Sequence, residues 1–210
     1  LKSQSDTDIP LYSISLDSKS VLFTETSVND QFEDTRLLEW FNKQALGSEV
    51  GSSIETYHYP FSSDQGKYFD IHISTKIKSE LTDAARGMSS ELRELGVGIF
   101  SAEAGARYWF NASQHQSYAI WRIGKPHQLL IIKNGRLSSY FTFKVNENKI
   151  TAITRYGSKE MADKLIHNLE SFYKTKRIHF PSVEHLYFYQ IIGNNPELKI
   201  LLDSKNANKT

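Results

Sequence analysis

The stretch that most narrows the possible folds is residues 118–145, YAIWRIGKPHQLLIIKNGRLSSYFTFKV. Asn134-Gly135 lies between two apolar runs, and both residues tolerate the positive φ of a type I′ turn, so the pair predicts a tight hairpin. Gly124-Lys125-Pro126-His127 predicts a second turn, with Pro126 fixing φ and Gly124 supplying conformational freedom. Residues 129–132 are all apolar, the pattern of a strand buried on both faces. Together these signals predict a three-strand antiparallel meander.

The chain downstream is regular. Ser158 is placed to cap a helix through Tyr173, with Leu165, Ile166, Leu169 and Phe172 among the residues of one face. Residues 184–192 predict a strand closed by Gly193. Pro196 then predicts a short helix carrying Leu198, Leu201 and Leu202. Three meandering strands, then helix, strand and helix, predict an α/β (α+β) fold. The order is that of a half-domain of the ribonuclease-H-like, actin-like (ASKHA) group. The expected division is a reduced N-terminal lobe over residues 1–100 and a ribonuclease-H-like lobe over 101–210.

Upstream, residues 10–16 and 20–26 predict a hairpin around Asp17-Ser18-Lys19. Asp34 or Thr35 is placed to cap a helix over 36–46, with Leu37, Leu38, Phe41 and Ala45 inward. Residues 54–59 and 68–74 read as strands. A long helix over 76–95 is expected from the stripe Ile77, Leu81, Ala84, Met88, Leu92 and Leu95, with Gly96 as its C-terminal stop. Residues 97–100 are then expected as a short strand, and Ser101 as the cap of a helix holding Ala102, Ala104, Ala106, Tyr108 and Trp109.

Composition excludes several classes. With 25 basic and 24 acidic residues in 210, the formal charge of +1 offers no field for nucleic acid or acidic lipid. Cysteine is absent, which removes disulfide and thiolate chemistry. No apolar run approaches the roughly 20 residues of a membrane-spanning helix. Leu1 in place of an initiator methionine is read as a chain trimmed from a longer one, so an anchor ahead of it stays open. The seven histidines form no H-E-x-x-H motif and no i, i+4 pair, and no metal site is expected; His179 and His185 are read as surface or capping residues. There is no G-x-S-x-G, G-x-G-x-x-G or P-loop. A nuclease-like cluster of Asp17, Asp70, Glu80 and Glu103 lacks the further acids it would need.

A helix ending in ELGV, a short strand, an SAEAGAR helix and a glycine-turn meander together resemble the PilM/GspL branch of actin-like proteins, platform components of type IV pilus and type II secretion machines. Ser101, Glu103 and Ala104 stand at the D-x-E-A-x-A position of that branch. Ile123-Gly124 stands at its D-I-G phosphate turn, Asn134-Gly135-Arg136 at its D-G-R/K turn, and Ile191-Ile192-Gly193 at its L-x-G-G nucleotide loop. The resemblance covers residues 36–203 in element order. It implies weak ATP binding at most, through Asp17, Gly124, Lys125, Gly193 and Asn194, and a protein partner in an envelope complex. It also implies a cytoplasmic chain, with inner-membrane association and homodimerisation left open.

The departures from the pattern point away from catalysis. Arg122 stands where active members carry the phosphate-turn aspartate, Pro126 removes an amide, and only Gly193 remains of the paired glycines. An actin-like ATPase needs carboxylates for Mg²⁺ and close backbone amides for phosphate. The expectation is therefore a pseudo-ATPase scaffold with no catalytic residue and no metal. The alternatives are an active ATPase or phosphotransferase using Asp17, and an actin-like protein of unrelated role. For the individual residues, simpler readings stand beside the ligand-binding ones: Lys125 and His127 as a solvated hairpin tip, Asp17 as an Asx turn, and Gly193-Asn194 as an ordinary strand-to-helix turn.

Overall fold

The computed structural model describes residues 11–28, 47, 53–62, 66–147, 149–175, 183–192 and 195–203. The helix expected over 36–46 lies outside them, as do Gly193, Asn194 and His179.

The meander is present. Strands β6 (Ser117–Arg122), β7 (His127–Lys133) and β8 (Arg136–Asn146) pair antiparallel in sequence order. Asn134 and Gly135 both have positive φ (49° and 72°), as the type I′ turn requires. Gly124 takes no positive φ; the other turn is formed around a cis Lys125-Pro126 peptide, and a Cβ on Gly124 would come within 3.1 Å of the Pro126 carbonyl oxygen. Strand β9 (Lys149–Gly157), not foreseen from sequence, extends the meander by pairing with β8.

Helix α3 (Lys159–Thr175) then crosses back, and strand β10 (His185–Ile192) pairs parallel with β6. The residues expected to form a last helix instead form strand β11 (Asn195–Asp203), antiparallel to β10. Backbone pairing to a formed neighbour has overridden the helical spacing of the three leucines. The sheet order is β11-β10-β6-β7-β8-β9. Within it lie a meander, a crossover helix and a fourth strand parallel to the first, which is the arrangement of a ribonuclease-H-like core.

This sheet is covered on both faces. Leu129 and Ile131 join Trp121, Phe141, Phe143 and the α3 residues Leu165 and Leu169 on one side. Leu130 and Ile132 face Tyr118, Ile120, Tyr140 and Tyr187 on the other. Leu129, Leu130 and Ile131 are wholly buried, each contributing about 1.5–3 kcal/mol of gross burial energy.

The second face packs on elements from the first half of the chain. β1 (Leu11–Leu16) and β2 (Val21–Ser27) do not form a hairpin with each other. β1 pairs parallel with β5 (Glu91–Val97), while β2 and β3 (Ile54–Pro60) flank β4 (Lys67–Ser74). The long helix expected over 76–95 is shorter: α1 spans Thr75–Gly87 and buries Ala85, while Ala84 and Met88 are exposed. Gly87 is a poor helix former and Ser89 adopts φ 54°, so the chain turns and Leu92 and Leu95 enter β5. Gly96 therefore lies in a strand and caps no helix. Helix α2 (Gly98–Phe110) begins three residues before Ser101, with Val97 at its N-cap; Ser101 instead donates to Ser15 Oγ at 2.9 Å.

Candidate functional site

The turn after β1 is built by Asp17. Its carboxylate accepts from Lys19 N at 3.1 Å and from Ser18 Oγ at 3.2 Å, and its carbonyl accepts from Ser20 N at 2.9 Å. This is an Asx-type cap on the short 3-10 turn Ser18–Ser20. The turn meets the base of the β6–β7 connection, where Gln128 Nε2 donates to Ser18 Oγ at 2.6 Å.

Arg122, the last residue of β6, lies in the same seam. Its Nη1 is 3.8 Å from where a Cβ on Gly98 would stand, and the Leu16 carbonyl oxygen is 3.7 Å from that point. A Cβ at position 98 would make ordinary van der Waals contact with both; what favours glycine there is its φ of +21°. Among the described residues, Arg122 Nε and the Tyr140 hydroxyl are both buried without a hydrogen bond. The Lys19 amide, and after it the Arg122 charge, hold the Asp17 carboxyl below the usual carboxylate range. Burial pushes the Tyr140 hydroxyl well above the ordinary phenol range.

The structure thus brings Asp17 against the strand ends that carry Gly124. Lys125 is exposed at the tip of its turn. β6 and β10 run parallel, and Ile123 N donates to Tyr189 O at 2.9 Å, so their C-terminal ends share one end of the sheet. Gly193 and Asn194 follow β10 but lie outside the described residues. Because β11 is a strand, no helix N-terminus opens at Pro196 to attract an anion there. His127 is packed: its ring stacks on Phe143 with centroids 5.1 Å apart, Trp121 Nε1 donates to its Nδ1 at 3.3 Å, and burial lowers its pKa.

The acids weighed as a nuclease cluster are engaged separately. Asp70 pairs with His58 Nδ1 at 2.6 Å and accepts from Thr26 Oγ1 at 2.5 Å. Glu103 accepts from Tyr118 OH at 2.5 Å and Arg107 Nε at 2.9 Å. Glu80 reaches Lys76 at 3.8 Å on the surface of α1.

Two groups escaped the sequence reading. A cleft of about 910 Å³ is lined by β5, by Tyr57 and Tyr59 of β3, and by Phe100, Tyr108 and Trp109 of α2. Tyr108 and Trp109 are 80% and 69% exposed and contact each other edge to face. In the sequence they are only two adjacent aromatics near the end of a helix, and nothing local says that both face outward. The second group is His115, Glu184 and His185, whose ligand-type atoms lie within 4.8 Å of one another. His185 is buried, 4% exposed, and is not the surface residue expected.

No family model matches the sequence, and no curated protein does either. Among solved structures, the chain is similar to the cytoplasmic domain of EpsL, an inner membrane component of the type II secretion system of Vibrio cholerae. That match has 12% identity and a TM-score of 0.38, over 70% of this chain and 51% of that one. It is also similar to a PilM–PilN type IV pilus biogenesis complex, with 11% identity and a TM-score of 0.48, over 81% and 52%. A third likeness is to a Bacteroides thetaiotaomicron protein with an actin-like ATPase fold and unknown function, with 11% identity and a TM-score of 0.37, over 87% and 60%. The chain spans between 51% and 60% of the length of these structures. Among the described residues, no helix is long and apolar enough to cross a membrane.

Proposed function

We propose that this chain is a catalytically silent actin-like module that docks a protein partner in an envelope-associated assembly of the pilus or secretion kind. The observation that carries the reading is the position of Arg122, whose guanidinium lies in the seam near Gly98 and whose charge helps to lower the Asp17 carboxyl. A Mg²⁺-dependent phosphotransferase needs oxygen ligands for the cation there, and a fixed positive charge repels it. On this reading Asp17, Gly124, Lys125, Gly193 and Asn194 are remnants of a nucleotide site that binds ATP weakly, residues 1–100 and 101–210 are two lobes, and the chain works on the cytoplasmic side.

The docking face is the cleft beside α2. β5 pairs only with β1 among the described strands, so one of its edges offers backbone donors and acceptors to an extended peptide. Tyr108 and Trp109 supply the aromatic anchors that such interfaces favour.

A photo-crosslinking side chain in place of Trp109 tests this. One discrete adduct to a partner in cells, reduced by Tyr108→Ala, supports the reading. No adduct, together with MgATP turnover by the purified chain, refutes it. The alternative is an active ATPase that uses Asp17, whose turn meets the β6–β7 connection through Gln128 and Ser18. Under that alternative Asp17→Ala abolishes turnover.

A further inference from the structure

We infer that His115, Glu184 and His185 form a binding site for a divalent transition cation, with Zn²⁺ the best-suited ion. Two imidazoles and one carboxylate are a donor set that zinc accepts, and the fourth position is left to water. Nothing in the nucleotide-fold reading calls for this site, which lies at the N-terminal ends of β6 and β10, whereas the Arg122 seam lies at the C-terminal end of β6.

The backbone fixes the three residues close together. His115 N donates to Ala112 O at 3.1 Å, ending the short turn that follows α2. Glu184 N donates to Ser117 O at 3.0 Å, and His185 is in register with Tyr118. Each strand entry therefore carries its donors to the same place, tied by hydrogen bonds to the other.

The side chains converge on that place. The His115 and His185 rings stack with centroids 3.6 Å apart at 25°, and Glu184 Oε2 lies 3.9 Å from His115 Nδ1. Ligand atoms around a tetrahedral Zn²⁺ sit about 3.3 Å apart, given bonds of about 2.0–2.1 Å. In the stack the two imidazole lone pairs run side by side, so joint ligation requires the His115 ring to swing out of the stack and Glu184 to follow it, the two side chains being 14% and 38% exposed, while the buried His185 stays in place. The same partial exposure gives the ion a route in. With no cysteine in the chain, no thiolate competes for it.

The test uses the full chain, stripped with chelator and then titrated with Co²⁺ followed visibly and with Zn²⁺ followed calorimetrically. The expected result is one equivalent of Co²⁺ giving intense d–d bands that Zn²⁺ displaces, together with a Zn²⁺-dependent rise in Tm. Losing a group that merely hydrogen-bonds a ligand costs about 10–100-fold in metal affinity, so His115→Ala and Glu184→Gln should each weaken Zn²⁺ at least tenfold. Either variant suffices if the other fails to fold. The absence of a saturable Co²⁺ spectrum, binding only at millimolar metal, or affinity unchanged in a folded variant would each overturn the site.

Discussion

Phe69 is the side chain through which the β2-β4-β3 sheet grips the rest of the molecule, and Phe69→Ala is the sharpest test of that packing. Its ring is fully buried. It meets Phe23 at 5.3 Å, Phe61 at 6.3 Å, Phe100 at 5.7 Å, Tyr140 at 5.4 Å and Tyr156 at 5.2 Å. These partners come from β2, the segment after β3, helix α2, and strands β8 and β9, so the cavity left by truncation cannot be filled by moving one element. Buried Phe→Ala changes cost about 3–5 kcal/mol. Each aromatic contact adds about 0.5–1.5 kcal/mol beyond area, so the upper end of that range, about 4–5 kcal/mol, is expected. For a chain of this size about 2–4 °C of Tm is lost per kcal/mol, which gives a fall of about 8–20 °C. Urea unfolding and a thermal scan read the same loss, with Tyr108→Ala, an 80% exposed site, as the control expected to stay within about 0.5 kcal/mol. A Phe69→Ala loss below about 1.5 kcal/mol would mean that the two sheets are not packed through this ring.

Other expectations follow from single residues. Gly157→Ala should destabilise the fold by several kcal/mol in urea titration, because position 157 has φ +81° and a Cβ would meet the Ser138 carbonyl oxygen at 2.4 Å and the Phe61 ring at 2.7 Å. His72, held by Thr24 and Thr56 hydroxyls, has its pKa lowered by burial. The unfolded chain then takes up a proton that the native state resists, so Tm should fall as pH drops below about 6.5, and His72→Gln should reduce that slope. Asp17 has the opposite chemistry in the same direction: its stabilising turn persists above the ordinary Asp pKa of 3.8 and is lost as pH falls through the lower native value, a loss absent in Asp17→Asn. Removing Arg122 by Arg122→Met should return the Asp17 carboxyl part-way towards that ordinary value, as read by carboxyl NMR.

The parts of this fold legible in the sequence are those settled within about ten residues. Asn134-Gly135 dictates its own turn, and the apolar run before it in β7 has no polar face to show solvent, so the meander could be read directly. Asp17 likewise makes the Asx turn its neighbours suggest. What failed were choices of partner. Leu16 and Val21 flank a true turn, yet β1 pairs with β5 and β2 with β4, about 80 and 50 residues away by loop-closure distances that no local signal encodes. Leu92 and Leu95 fit a helical stripe as well as a strand, and Gly87 with the left-handed Ser89 decided between them. Strand β9 shows period-two burial at Ile150, Ala152 and Thr154, a pattern short enough to pass as loop. The histidine pair was invisible for a related reason: His115 and His185 meet only because β10 docks parallel to β6.

On the proposed reading, the seam around Arg122 separates two properties that a nucleotide fold usually delivers together. Phosphoryl transfer depends on a cation bridging phosphate oxygens, and that cation needs carboxylates to hold it. Phosphate affinity by itself needs only positive charge and donors, and a guanidinium supplies both through its planar fork. On the proposed reading, Arg122 at the end of β6 stands in for an acid, which reverses the preference of the site for the metal while leaving an anion some attraction. Asp17 opposes even that, since its ionised carboxylate partly neutralises the arginine across the seam. That is the physical sense in which a shape inherited from nucleotide chemistry becomes, on the reading proposed above, a rigid frame for holding a protein partner.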